Sequence, residues 1–75
     1  MSDFVRFLIV LVRDGEHEPT GFWSGKMWVI NRAAAAAYDS EAHAEEHIKY
    51  HDMHNRASEM RGSFKVKVER YTLPM

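Results

Sequence analysis

The sequence predicts an α+β fold: a small antiparallel or mixed β-sheet in the order β-β-(β)-α-β, with one long amphipathic helix packed on one face. Three stretches predict it. "FVRFLIVLV" is apolar and rich in β-branched residues, "DSEAHAEEHIKYHDMHNRASEMRG" is a polar-capped run of helix formers, and "SFKVKVERY" alternates strictly. Periods of two and 3.6 residues separate strands from helices. With 75 residues and no repeat or inter-domain linker, the chain reads as a single domain over residues 1–75.

The first strand runs from Phe4 to Val12 and stops at the polar loop "RDGEHEPTG". Its two faces, Val5/Phe7/Ile9/Leu11 and Phe4/Leu8/Val10/Val12, are both apolar. One helix covers one face of a sheet, so the other needs a second layer. A homodimer would supply it; shelter from the two tryptophans and the loops is the alternative within one chain.

"GFWSGKMWVIN" predicts a second strand, a tight turn around Ser24-Gly25-Lys26 and a short third strand. "RAAAAAY" is a short connector with helical-turn character. Asp39 or Ser40 can cap the following helix, Glu41, Glu45 and Glu46 suit its positive end, and Gly62 marks its stop. In the last strand Phe64, Val66 and Val68 face one way and Lys65, Lys67 and Glu69 the other. The helix has two candidate buried faces. One holds Ala44 and Ile48 among the histidines; the other holds Ala42, Tyr50, Met53, Ala57 and Met60. A two-sided helix is a second reason to expect self-association.

Composition removes several functions. The chain has no cysteine, so disulfides, thiolate metal sites and cysteine catalysis are excluded. The net charge of −1 exerts no general pull on nucleic acid or anionic membrane. Residues 1–48 carry eight acids against four Lys/Arg, whereas residues 49–75 carry three against six, so the chain is acidic first and basic last. Asp3 sits where a signal peptide would be positive, and the apolar run is far short of the roughly 20 residues that span a bilayer. The expectation is a cytoplasmic protein that does not enter membranes.

Four of the five histidines fall within "HAEEHIKYHDMH". At about 100° per helical residue, His43, His47, His51 and His54 lie at about 0°, 40°, 80° and 20°, on one side of a straight helix. Zinc or nickel would suit two such imidazoles, with Asp52, His17 or another subunit completing the shell. Four rings pointing one way cannot enclose a tetrahedral ion, which favours adventitious capture over a built site. "HAEEH" also fits the H-x-x-E-H pattern of inverzincin proteases, with His43 and His47 as ligands and Glu46 as base. That reading is rejected, because the residues after His47 are spent on helix, turn and strand and leave no scaffold for a third ligand and a cleft.

No Gly-rich phosphate loop or nucleophile elbow is present, and no enzyme is expected. Phe22, Trp23 and Trp28 with Lys26 between them suggest a stacking platform, but no basic groove surrounds them, so direct nucleic-acid binding is not expected.

The stretch "FWSGKMWVINRAAAAAYDSEAHAEEHI", residues 22–48, resembles a pattern in small phage and prophage proteins: an aromatic pair before a Gly turn, a second Trp, an Ala-containing connector and a capped helix start. The resemblance implies an accessory protein of anti-CRISPR-like type, acting in the host cytoplasm without catalysis and covering a functional surface of a bacterial defence complex. The expected function is therefore a protein-binding module. Its candidate partner-binding residues are Asp14, Glu16, Glu18, Trp23, Trp28, Glu41, Glu45, Tyr50 and Met53, the acids occupying a basic groove on the target. The alternatives are a histidine-rich zinc- or nickel-binding protein on His43, His47, His51 and His54, or a small oligomeric structural phage component.

Overall fold

The computed structural model describes residues 4–73; Asp3, which carried the argument against a signal peptide, lies outside them. Four strands, β1 (Phe4–Arg13), β2 (Pro19–Trp23), β3 (Trp28–Val29) and β4 (Phe64–Leu73), form one antiparallel sheet in the order β3-β2-β1-β4. A 3₁₀ turn (Arg32–Ala34) and two helices, α1 (Glu41–Tyr50) and α2 (Met53–Ser58), lie between β3 and β4. The α+β class is as the sequence predicts, and the described helices include none long and apolar enough to cross a membrane.

β1 is the central strand because it is apolar on both faces, and its ten residues pair in unbroken register with β4, from Phe4 opposite Leu73 to Arg13 opposite Phe64. On its other side β2 takes Val10 to Val12, with a bulge between Leu11 and Val12. Further along, Phe7 and Tyr38 exchange backbone hydrogen bonds of 2.9 and 2.8 Å. The β2–β3 turn closes as expected. The Ser24 N–H donates to the Met27 carbonyl at 2.9 Å, and Gly25 takes φ 103°, a conformation that favours glycine.

The structure corrects the prediction of one long helix. Asp52 adopts the left-handed conformation, φ 53°, and ends α1 before α2 begins. The break solves a phase problem. On a straight helix Ala44 and Ile48 would lie about 140–180° from Met53 and Ala57. With the chain re-aimed at Asp52, all four are buried in one core with Ile9, Leu11, Tyr38 and Val66. The two candidate faces are therefore two halves of one buried side. Ala42 and Tyr50, assigned to the second face by periodicity, are exposed. Ser40, rather than Asp39, caps α1, its hydroxyl accepting from the His43 N–H at 3.1 Å.

The opposite face of the sheet is covered within the chain. Leu8, Val10, Val12 and Phe22 form a second buried cluster, packed by Val29, Ala35 and Tyr71. Arg32 spans its surface: the guanidinium lies 5.0 Å from the centre of the Phe22 ring and 5.6 Å from that of Tyr71, and donates to Glu69 Oε1 at 2.6 Å. The two tryptophans do not provide this cover; both pack on the helix side. The uncovered face from which a dimer was argued is thus sealed by the alanine-rich connector and one arginine.

Candidate protein-interaction site

β2 and β3 meet at the cross-strand pair Trp23–Trp28, whose rings sit edge to face with centroids 5.2 Å apart. α1 passes over this pair and presents the histidines. The Trp23 indole N–H donates to His47 Nε2 at 3.1 Å, and the Trp23 ring lies 6.3 Å from His47 and 6.0 Å from His51. His47 also stands 4.3 Å from His51 and 5.2 Å from Tyr38, and His43 meets Tyr38 edge to face at 5.3 Å. Tyr50 closes the row against His51 at 5.0 Å. The result is an aromatic ribbon along α1, anchored on Trp23 and Tyr38.

Three of the four stripe histidines belong to that ribbon. His54 does not: the break at Asp52 places it on α2, beside Ser58 and the start of β4. His17 is on the far face of the sheet, near Val12 and Lys67. Asp52 is occupied by its own helix start, accepting from Asn55 Nδ2 at 2.9 Å. Among the described residues no group of three or more His, Asp or Glu side chains is placed to hold a metal ion. The lone pair that His47 Nε2 would offer to a metal is taken by Trp23.

Burial, followed by the charges of His51 and His43, holds His47 below the ordinary histidine value, and burial alone raises Tyr38. Protonation would also place a hydrogen on Nε2, against the Trp23 donor. The unfolded chain takes the proton near 6.5, whereas folded His47 resists until lower pH. The stability is therefore intact above about 6.5 and is lost as pH falls through the folded value. Denaturant midpoints at pH 7.5 and pH 5 are expected to show this loss. His47→Gln, which keeps an acceptor for Trp23, should flatten it; an identical pH dependence in both proteins would remove His47 as the cause.

Beyond the histidines, Trp23, Trp28, His51, Met53 and Met60 line a cleft of about 270 Å³, with Lys26, Met27 and Arg56 around it. Met27 is 62% and Tyr50 83% exposed, while the tryptophans are half-buried. Met53 is a correction to the expected partner surface: at 3% exposed it belongs to the core, placed there by the turn at Asp52. The acids are exposed but divided. Asp14, beside Glu16 and Glu18, is tied to the β4 end by its N–H to Ser63 and by Lys65 at 3.2 Å. Glu41 and Glu45 begin α1, just after Tyr38 pairs with Phe7. The strand from Phe7 to Asp14 separates the two groups by roughly 20 Å, so they form no continuous acidic surface.

Lys26, which the sequence places between the tryptophans, is joined in the cleft by Met27, Arg56 and Met60, which the sequence does not mark as site residues. Only the folded turn and α2 bring them together; the sole signal in the sequence was the W-x₄-W spacing around the turn. Compared with protein families, with curated proteins and with solved structures, the chain has no match in any of the three.

Proposed function

We propose that this chain is a non-catalytic protein-binding module that engages its partner through the Trp23–Trp28 cleft. The observation that carries the reading is the clustering of tryptophan, methionine and arginine in one partly open site, with the exposed Tyr50 ring beside it against His51. These residue types dominate the energetics of protein interfaces, because each buries a large area at low conformational cost or makes several directed contacts. Lys26 and Arg56 at the rim favour a partner segment that brings an apolar side chain with acids beside it. The two separated acidic groups, one after the end of β1 and one at the start of α1, act as steering charges rather than as one mimic of nucleic acid.

The finer reading follows from the resemblance to phage accessory proteins: the partner is a bacterial defence complex, and binding blocks one of its working surfaces. Expression in a bacterium with an active CRISPR–Cas system is expected to restore phage plaquing, and Met27→Asp combined with Tyr50→Ala should abolish the effect. Unaltered interference in the presence of the wild-type chain would dismiss the defence target. A partner whose affinity changes less than about threefold in that double variant would dismiss the cleft, since loss of an interface anchor costs at least about 1 kcal/mol.

A further inference from the structure

β4 ends the sheet, and its free edge is ten residues long, whereas the opposite edge, β3, has two. Backbone groups alternate between the two sides of a strand. The Phe7 N–H and C=O point to Tyr38, away from β4, and the Asp14 N–H points to Ser63, on the β4 side. Even-numbered residues of β1 therefore bond β4, and through the register they meet Lys65, Lys67, Glu69 and Tyr71. The groups of Phe64, Val66, Val68, Arg70 and Thr72 point outward, where no strand meets them among the described residues.

We infer that two copies of this chain associate through β4, antiparallel and centred on Val68, joining two four-stranded sheets edge to edge. The charge pattern selects that register. With Val68 facing its own copy, Lys67 of each chain faces Glu69 of the other, twice, and Lys65 faces Tyr71. These are the non-hydrogen-bonded pairs, in which side chains approach most closely. Sliding by two residues, the smallest step that keeps the outward groups matched, sets Lys67 against Lys67 or Glu69 against Glu69. Charges that ordinarily guard an edge strand here disfavour both neighbouring registers, Lys67 in one direction and Glu69 in the other, and favour the one centred on Val68.

Glu69 adds a reason: its Oε1 accepts from Arg32, its Oε2 accepts no hydrogen bond among the described residues, and the side chain is still 29% exposed, so Lys67 of the other copy brings a second positive neighbour to a carboxylate that holds only one. On the helix side the same register sets half-buried Val68 against Val68, extending the apolar cluster it borders. The inference is independent of the partner proposed above, because Trp23 and Trp28 lie on the two strands farthest from this edge.

The chain has no cysteine, so single cysteines report on the edge cleanly. Hydrogen-bonded antiparallel pairs hold Cα atoms about 5.5 Å apart, within disulfide range, so Val68→Cys is expected to oxidise to a covalent dimer. Arg70→Cys lies four residues from its own copy in this register, about 13 Å along the strand, and should remain reduced. By light scattering the wild-type chain should approach twice its 8.8 kDa as concentration rises. An 8.8 kDa species persisting at millimolar concentration would overturn the inference. So would a Val68→Cys protein that fails to cross-link, or an Arg70→Cys protein that cross-links as readily.

Discussion

Ile9→Ala is expected to lose about 2–5 kcal/mol of folding stability, the usual range for removing a large aliphatic side chain from a packed interior. Ile9 is fully buried, 0% exposed, on the central strand beneath both helices. A domain of this length has a total stability of roughly 4–11 kcal/mol. The substitution therefore removes a large part of the whole, or all of it. The melting temperature should fall by roughly 10–40 °C, since each kcal/mol shifts a small domain by several degrees. Ile30→Ala is the matched control: the same deletion at a residue 88% exposed should stay within about 0.5 kcal/mol of wild type. Thermal denaturation followed by circular dichroism measures both, and equal melting temperatures would mean that Ile9 does not lie in the core.

Arg32→Ala should cost about 1–2 kcal/mol, more than most surface arginines. A half-exposed ion pair contributes at most about 1 kcal/mol, and a cation over aromatic rings about 0.5–1. Here one guanidinium does both, bonding Glu69 while lying over Phe22 and Tyr71. Its removal also leaves a half-buried carboxylate with neither oxygen hydrogen-bonded among the described residues. Arg32→Lys keeps the charge but loses the plane, so its stability should fall between the two. Urea titrations would order the three proteins. The alanine variant should also bind more of an apolar dye, because Phe22 loses its cover; unchanged dye binding would show that the connector alone seals this face.

Much of the fold was legible because it rests on local patterns. The apolar run at β1, the alternation in β4, the turn at Gly25 and a cap at Ser40 each announce themselves within a few residues. The break at Asp52 does not. Aspartate occurs in helices, caps and left-handed turns alike, and only the need to bring Ile48 and Met53 onto one core decides among them. That one conformation explains why the helix looked two-sided, why Met53 was assigned to the surface and why His54 was grouped with the other three histidines. The cover over Phe22 was hidden for another reason. Arg32 reads as a solvated charge until the fold brings Glu69, which is 37 positions away, within 2.6 Å. The site was half legible: Trp23, Trp28 and Tyr50 stood out by type, whereas Arg56 and Met60 reach the cleft only after α2 changes direction.

The pairing of residues 4–13 with residues 64–73 also sets how this protein must be made. The hydrogen bonds between the central strand and β4 join residues about 50–70 positions apart, so contact order is high and folding should take milliseconds to seconds rather than microseconds. While the last strand is still inside the ribosome, Phe4–Arg13 has an open, sticky flank and no stable place to dock. The nascent chain must therefore stay soluble unfolded, or be held by a chaperone, until residues 64–73 have emerged from the ribosome.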